Sequence, residues 1–516
     1  MSKSNNNHIA KDAERVLATG TVMRTDESAL FVPNRGRAMP LYSYTKDNPF
    51  AKYVASLCGR SPNSKGTTAV IRYLEALAFR GSAFVRGVNV LDATVTTGDG
   101  LHHLVHLGHG HVVELLPGGA RARVANGCYG MVFLDPPEFA PVNLTDSHLA
   151  WTGGEDSYLM RAIIDGLPPP AGDLTVREQG ALMIALWFTP FITSMARGKP
   201  VYLLVGAPGI GKSVTQKLYA AALYGSAGDT TGSLGGSRAG KDFFAQAAHL
   251  PLVVRDDVNR LDADTMNSIC QASTGMTLHT SEFFQTLGLA RYRIDACFFF
   301  SAFMPAWLGR RDLMSRLITL DIKRPPRDSV TERERIAAVM RVRDWIWAET
   351  LLVIATALSR SKPAVSPVRF DDWYSVIHRV LGCYGMAEDF DRALSKMSTE
   401  SVRIACASDP ELARILAVAH DGRWGRDWWR IADLMDALSE ADGVMSHAHD
   451  PHRAANFVRD PQKVAGLLRR MMTSYSGVVT VVARPGRGHQ NVYRMWPSDQ
   501  PDPLAMMNSE ADDEQV

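Results

Sequence analysis

Hydrophobic and polar positions divide the chain into segments of different periodicity. Up to about Ser61 the apolar runs are short and interrupted, which predicts a partly disordered leader over residues 1–61. Residues 62–165 contain the helical spacing of TTAVIRYLEALAF and then alternating runs such as HVVELL, so we predict an N-terminal α+β domain. The proline-rich stretch from Gly166 to Asp173 predicts a domain boundary, because proline continues neither a helix nor a central strand.

Residues 174–326 have the pattern of an α/β core. Val201–Val205 is a short apolar run, as expected for a strand buried on both faces of a parallel sheet. Similar runs end at Asp256 and at Ser301. Residues 327–421 return to helical periodicity, as in RIAAVMRVRDWIWAETLLVIATAL, and predict a helical domain.

The C-terminal residues 422–497 show a helix, a basic helix and two alternating strands, which predicts a winged-helix domain. The last helix would enter a major groove while the wing contacts phosphate; a winged helix used for protein contacts is the alternative. The basic residues concerned are Lys463, Arg469, Arg470, Arg484, Arg487 and His489. Residues 498–516 predict an acidic, disordered tail.

A phosphate-binding loop is predicted directly after Val201–Val205. The sequence GAPGIGKS has the spacing G-x-x-x-x-G-K-S, and a helical run follows it, so backbone N–H groups and the start of a helix would surround a triphosphate. Lys212 is predicted to reach the β and γ phosphates of ATP, and the Ser213 hydroxyl to bind Mg²⁺. The predicted ATP-binding residues are Gly206, Ala207, Pro208, Gly209, Ile210, Gly211, Lys212, Ser213 and Val214.

Two carboxylates end the next apolar run, LPLVVRDD. A parallel strand beside the first would deliver them next to the phosphates. We predict that Asp256 holds the magnesium ion through water and that Asp257 acts as general base on the attacking water. Arg255 is unusual in a buried strand, and a surface turn that carries two aspartates is the alternative interpretation.

A polar residue and several arginines follow further along the core. Ser301 ends an apolar run and is a candidate for sensing the γ-phosphate or orienting water. Arg310, Arg311 and Arg316 stand just before another strand, from which an arginine could stabilise charge on a phosphoryl group in a neighbouring subunit. A surface arginine paired with Asp312 is the alternative.

Composition narrows the class of protein. The 516 residues are 46% hydrophobic and 21% charged, with a net charge of +2, which predicts three or four domains and argues against coating of nucleic acid by the whole surface. The six cysteines form no C-x-x-C pair, so neither a disulfide framework nor a zinc knuckle is expected. No apolar run suits a signal sequence or membrane span, and we expect a cytoplasmic protein without a membrane partner.

Five histidines lie close together in the N-terminal domain, at positions 102, 103, 106, 109 and 111. Alternating side chains on a strand face opposite ways, and no Cys or acidic set completes a metal site. We therefore expect His102, His103, His106, His109 and His111 to be solvated strand residues rather than metal ligands.

Four segments in order resemble the AAA+ ATPases of superfamily 3 and D5-like helicase type, found in phages and mobile elements: GAPGIGKS, PLVVRDD, ICQASTGMTLHTSEFFQTLG, and FFFSAF followed by RRDLMSRLITLDI. The resemblance covers about Leu174 to Gly385. It implies a P-loop NTPase (AAA+) core with a parallel sheet, and a homo-oligomeric ring of six subunits. Such proteins usually carry Asn where this chain has Ala302, and no primase motif is recognisable in the N-terminal part.

The same resemblance implies roles for individual residues. Arg316 would be the arginine finger. Ser273-Thr274-Gly275 would lead into a hairpin that lines the central pore and grips single-stranded DNA, with His279 and Arg291 or Arg293 as candidate contacts.

The expected function is that of an ATP-dependent DNA helicase or translocase in the replication of a phage or mobile element. Lys212, Asp257, Ser301 and Arg316 would be catalytic, with ATP and Mg²⁺ as cofactors. Two alternatives remain from the sequence: an AAA+ loader or remodeller that acts on a protein partner, and an ATP-switched initiator that binds a DNA site.

Overall fold

The computed structural model describes most of the chain. The residues described are 3–25, 29–34, 36–41, 48–81, 85–88, 90–136, 139–154, 156–226, 243–244, 247–281, 289–303, 305–325, 330–363, 366, 368–408, 415, 418–419, 423–440, 461–474, 479–485, 491–497 and 502. Among them, no helix combines the length and apolar character needed to cross a membrane.

The first 81 residues form helices and a small antiparallel sheet around a core of their own. The elements are α1 (Lys3–Leu17), β1 (Gly20–Arg24), β2 (Ala29–Pro33), β3 (Met39–Pro40), α2 (Pro49–Cys58) and α3 (Lys65–Gly81). Phe31 and Phe50 are fully buried in this core, with ring centroids 5.1 Å apart. In the described part of residues 1–61, apolar positions that are sparse along the sequence meet once these elements pack.

Two further sheets lie between residues 86 and 133. Their strands are β4 (Arg86–Val88), β5 (Asp92–Thr97), β6 (Gly100–Gly108), β7 (His111–Leu115), β8 (Arg121–Ala125) and β9 (Met131–Phe133), and the short helix α4 (Asp146–Ala150) follows. Strands β5 to β8 pair antiparallel in sequence order, whereas β4 and β9 pair in parallel. Strand β6 is therefore internal to its sheet.

The histidines of β6 correct one expectation from the sequence. His102, His103 and His106 are at most 5% exposed, rather than solvated. The reason is that β6 packs on both faces, with Val105 in one core cluster and Leu104 in another. No group of three or more His, Cys, Asp or Glu side chains able to hold a metal ion occurs among the residues that the structure describes.

Asp92 joins the sheet of β5 to the segment that precedes the parallel core. Its carboxylate is 1% exposed and accepts hydrogen bonds from the backbone N–H groups of Thr193 and Ser194, each at 2.9 Å. The hydroxyl groups of the same two residues also donate to it. Four donors compensate for the loss of water around a buried carboxylate.

Replacing Asp92 by alanine is expected to lower the free energy of unfolding by about 3 kcal/mol, because buried donors lose their acceptor. Asp99→Ala is the matched control on the same sheet, where the carboxylate is 79% exposed, and it should change stability little. Chemical denaturation of both variants measures the difference. Equal, small losses would show that Asp92 does not hold this junction.

The centre of the molecule is a four-stranded parallel sheet in the order β11-β14-β10-β15. Its strands are β10 (Val201–Val205), β11 (Leu252–Arg255), β14 (Cys297–Ala302) and β15 (Leu317–Asp321). The accompanying elements are α5 (Val176–Phe188), α6 (Lys212–Tyr224), α7 (Ala263–Ala272), the antiparallel hairpin β12 (Met276–Ser281) and β13 (Leu289–Ile294), and α8 (Arg311–Met314). All four central strands run the same way, so their carboxyl ends share one edge.

Four helices continue the chain after this sheet and share a core cluster with it: α9 (Glu332–Arg341), α10 (Arg343–Leu358), α11 (Asp371–Cys383) and α12 (Ala387–Ser408). Trp187, Trp347 and Trp373, from α5, α10 and α11, are among the largest fully buried side chains. The indole N–H of Trp187 donates to the Thr350 hydroxyl at 2.8 Å. This cluster supports the sheet from which the site is built.

The last described elements are helices and a three-stranded antiparallel sheet in the order β16-β18-β17. They are α13 (Arg423–Arg426), β16 (Trp429–Arg430), α14 (Ile431–Glu440), α15 (Pro461–Ser474), β17 (Val479–Pro485) and β18 (Asn491–Pro497). Val464, Leu467 and Met471 form the buried side of α15. Apart from Asp502, the predicted acidic tail lies outside the described residues.

Candidate active site

The loop between β10 and α6, where the sequence predicts phosphate binding, has three glycines with positive φ angles. Gly206, Gly209 and Gly211 have φ angles of +152°, +75° and +104°, in the region that favours glycine. A Cβ atom on Gly206 would lie 2.5 Å from the carbonyl oxygen of Ile322, just beyond β15. The loop is thus held against the neighbouring strand by close backbone contact.

Gly206→Ala is expected to weaken ATP binding at least about fivefold, because the side chain adds backbone strain and a clash of roughly 1–3 kcal/mol at the loop. Gly81→Ala is the matched control, since a Cβ atom there would meet nothing within 4 Å. Titration with a fluorescent ATP analogue compares the two dissociation constants. An unchanged constant for Gly206→Ala would argue against nucleotide binding by this loop.

Lys212 is the first residue of α6, and its ammonium group folds back over the loop. It donates to the carbonyl oxygens of Gly206 at 2.6 Å and Ala207 at 3.0 Å. Burial lowers the pKa of Lys212, and the nearby charges of Asp256 and Asp257 only partly oppose this. The loop carbonyls thus hold the Lys212 cation against the glycine-rich turn.

Ser213, Asp256 and Ser301 meet at the carboxyl edge of the sheet. The Ser213 hydroxyl donates to one oxygen of Asp256 at 2.5 Å, although the two residues are 43 positions apart. The Ser301 hydroxyl donates to the other carboxylate oxygen. Strand order explains the meeting, because β14, which carries Ser301, lies between β10 and β11.

The environment of Asp256 favours its ionised form. Burial raises the pKa of this carboxyl, but the hydrogen bonds from Ser213, Ser301 and the N–H of Asp257, with the charge of Lys212, outweigh burial and bring the pKa below its usual value. A carboxylate and a serine hydroxyl are oxygen donors of the kind that Mg²⁺ prefers, and a phosphate would supply further oxygens. These two residues therefore fit the magnesium site predicted from the sequence.

Asp257 adopts a left-handed backbone conformation, with φ of +55°. Its N–H lies 3.0 Å from a carboxylate oxygen of Asp256, and its own carboxylate accepts a hydrogen bond from the Asn259 side chain. The Asn259 oxygen in turn accepts the N–H of Phe303 at 2.8 Å, just after β14. Asp257 is exposed, and its carboxylate is oriented by Asn259, which is itself held at the end of β14.

Asn259 was not among the residues predicted from the sequence, because the resemblance implies an amide directly after Ser301 instead. Ala302 occupies that position and is fully buried. Asn259 reaches the same end of β14 from the loop after β11. Its only signal in the sequence is its place two residues after Asp257, in RDDVN.

Gln216 and Arg255 fix the elements behind the site. The Gln216 amide donates to the carbonyl oxygens of Arg255 at 3.0 Å and Phe299 at 3.1 Å, which ties α6 to β11 and β14. Arg255 is 7% exposed, and its guanidinium lies 5.5 Å from the ring centroid of Phe243. This cation–π contact accounts for an arginine in a buried strand.

Arg316 lies at the other edge of the sheet, immediately before β15. Its guanidinium donates to the Ser273 hydroxyl at 3.0 Å and to the carbonyl oxygen of Asp312 at 3.1 Å. The carboxylate of Asp312 is instead paired with Arg310, at 2.5 Å. Arg316 therefore does not form the surface ion pair considered as the alternative, and it lies away from Lys212 of the same chain.

The remaining predicted contacts are only partly described. β12 and β13 form the expected hairpin after Gly275, with His279 opposite Arg291 in its ladder. The side chains of His279, Arg291 and Arg293 lie outside the described residues, as do Arg487, His489 and the side chains of Lys463 and Arg470. Arg469 is exposed on α15, and Arg484 lies over the ring of Trp428 at 4.1 Å.

Comparisons with known proteins give weak structural likenesses. No family model and no curated protein match the chain. Among solved structures, it is similar to the apo A form of the NrS-1 C-terminal region, at 11% identity and a TM-score of 0.40, over 94% of this chain and 98% of that chain. It is also similar to SCCmec type IV Cch, described as an active helicase, at 12% identity and a TM-score of 0.46, over 93% of each chain. The chain itself has a mixed α/β fold with a parallel sheet.

Proposed function

We propose that this chain is an ATP-dependent DNA helicase or translocase that acts in the replication of a phage or mobile element. The observation that carries the proposal is the convergence of Lys212, Ser213 and Asp256 at the carboxyl edge of one parallel sheet, next to a glycine-rich loop. This set of groups suits the binding and hydrolysis of a nucleoside triphosphate.

In the proposed reaction, the backbone amides of the loop and the start of α6 hold the phosphates. Lys212 exchanges its contacts with the loop carbonyls for contacts with the β and γ phosphates. Ser213 and Asp256 would hold Mg²⁺, and the bound metal would neutralise charge on the phosphates. The hydrogen bond between the two residues supports this assignment, because it brings the Ser213 hydroxyl and an Asp256 carboxylate oxygen within 2.5 Å of each other.

Water activation is assigned to Asp257. As general base it takes a proton from the attacking water, while Asn259 orients its carboxylate. Ser301 donates to Asp256, so its role is to hold that carboxylate in place rather than to contact the γ-phosphate alone. A residue that acts through Asp256 would affect metal binding and turnover together.

Hydrolysis is proposed to depend on assembly. Arg316 precedes β15, whereas the phosphate loop follows β10, so the two lie at opposite edges of the sheet. An arginine at that edge would serve the ATP of a neighbouring subunit in a homo-oligomeric ring, which we propose to be a hexamer. Arg316 donates a hydrogen bond to Ser273, which lies shortly before β12. A contact between Arg316 and the neighbour's ATP would therefore be linked to the start of the β12–β13 hairpin.

DNA is the proposed substrate of the motor. The hairpin would contact single-stranded DNA in the ring, through His279 and Arg291 or Arg293. The C-terminal helices and three-stranded sheet would form a winged helix that binds duplex, with Arg469 and Arg484 among the exposed cations.

Strand displacement from a forked duplex tests this function. We expect the full-length chain to separate the strands with ATP and Mg²⁺, and to fail with a non-hydrolysable analogue. ATP turnover that rises with single-stranded DNA without strand separation would favour the DNA-binding initiator or the loader of a protein partner.

A further inference from the structure

The outer face of the C-terminal three-stranded sheet carries arginine and tryptophan side chains. Tyr493 and Met495 of β18 are buried in a hydrophobic core cluster. Successive side chains of a strand face opposite sides of the sheet, so Arg494 and Trp496 lie on the side away from this core. Arg484 of β17 pairs with the residue two positions before Arg494 and therefore lies on the same outer side.

Trp428, immediately before β16, contacts both arginines of this outer side. Its ring centroid lies 4.1 Å from the guanidinium carbon of Arg484 and 5.4 Å from that of Arg494. The guanidinium carbon of Arg494 also lies 5.0 Å from the ring centroid of Trp496. A cation over a tryptophan ring is attracted by the negative face of the ring. We call these four residues the Arg–Trp face.

Asp502 already occupies part of the Arg–Trp face. Its carboxylate accepts a hydrogen bond from the guanidinium of Arg494, which is only 4% exposed. A buried cation needs such an anionic partner, because it has lost most of its water. An extended chain would carry Asp502 roughly 25 Å beyond Arg494. The contact therefore means that Asp502 lies back over the sheet and brings an acidic side chain onto this face.

The sequence after Asp502 is complementary in charge to the Arg–Trp face. Residues 503–516 contain no Lys or Arg, and their acidic side chains are Glu510, Asp512, Asp513 and Glu514. Arg484 is exposed on the face that Asp502 reaches. A guanidinium group binds carboxylates and phosphates alike. Continuity with Asp502 and opposite charge both favour residues 503–516 as the occupant of the rest of this face.

We propose that residues 503–516 continue from Asp502 across the Arg–Trp face of their own chain and compete there with nucleic-acid phosphate for Arg484. The competition rests on the proposed function, because it needs the C-terminal elements to bind DNA. Attachment to the same chain raises the local concentration of the acidic segment to the order of millimolar, so a weak contact is enough to hold it. Bound duplex displaces the segment, because its phosphates take over the same guanidinium group.

Photo-crosslinking from the Arg–Trp face tests where the acidic segment lies. Val482 is 36% exposed and stands opposite Arg494 in the ladder, so p-benzoylphenylalanine in its place samples this face. We expect irradiation of the full-length chain to link this position to residues 503–516 within one chain, as identified by mass spectrometry of the monomer band. The same photoreactive residue in place of Val176, which is 71% exposed on α5, is the matched control and should give no such link.

Two further measurements use the same crosslink at position 482. Asp502→Asn should lower its yield at least about threefold, because the variant loses a charge-assisted hydrogen bond to Arg494. Asp436→Asn removes an exposed carboxylate of α14 and should leave the yield unchanged. Saturation of the chain with duplex DNA should also lower the yield at least about threefold, because phosphate and the acidic segment compete for Arg484.

Three outcomes would overturn the proposal. The first is no link between position 482 and residues 503–516, and the second is a link found only at twice the monomer mass, which would assign the face to the segment of a second copy. The third is an unchanged yield when duplex is bound, which would refute the competition. A chain that binds no duplex would instead refute the proposed DNA binding, and the competition with it, whereas the link within one chain would still be formed.

Discussion

Lys212→Ala is expected to reduce ATP turnover at least about 100-fold, because it removes the cation that we propose to contact the β and γ phosphates. The ammonium group already lies over the loop, 2.6 Å from the carbonyl oxygen of Gly206. Steady-state phosphate release by the full-length chain measures the loss. Binding of duplex DNA should persist, since the C-terminal elements lie outside this loop.

Lys217→Ala is the control for this experiment. Lys217 lies on the same helix, but its ammonium pairs with Glu332 at 2.7 Å instead of facing the loop. We expect turnover close to that of the wild type. Equal loss of ATP turnover and of duplex binding in Lys212→Ala would contradict the division of labour between the site and the C-terminal elements.

Asp257→Asn should separate nucleotide binding from hydrolysis. The variant keeps the shape of the side chain but removes its capacity to accept a proton, so turnover is expected to fall by about 10²–10⁴-fold while ATP still binds. Single-turnover hydrolysis together with an ATP dissociation constant makes the distinction. Weaker binding with an unchanged rate of hydrolysis would place Asp257 among groups that bind ATP rather than those that activate water.

Asp264→Asn serves as the comparison for Asp257→Asn. Asp264 is an exposed carboxylate in the first turn of α7, on the segment that follows the same loop. Its replacement should alter neither ATP affinity nor turnover. Comparing the two variants therefore shows whether a loss of turnover is specific to Asp257 or follows from removing any nearby negative charge.

The parts of the site that follow fixed spacing could be predicted from the sequence. The strand Val201–Val205, the glycine loop and Lys212 are contiguous, so local rules describe them. Asp256 is more distant, but its place after a buried strand predicted that it would reach the same sheet edge as the loop. The Ser213–Asp256 hydrogen bond agrees with that expectation.

Other parts depend on contacts between distant residues and could not be predicted. Asn259 reaches the end of β14 only because the loop after β11 folds toward it. The histidines of β6 are buried because both faces of this strand are covered by hydrophobic clusters. Alternation in the sequence does not indicate that the second face is covered. Arg316 is held by Ser273, 43 residues earlier, through the arrangement of two connecting segments.

A structure of the full-length chain with a non-hydrolysable ATP analogue and Mg²⁺ would show where the nucleotide binds. We expect the phosphates in the loop from Gly206 to Gly211, with Lys212 in contact with them and the metal beside Ser213 and Asp256. A nucleotide bound elsewhere, or a metal away from those two oxygens, would contradict it.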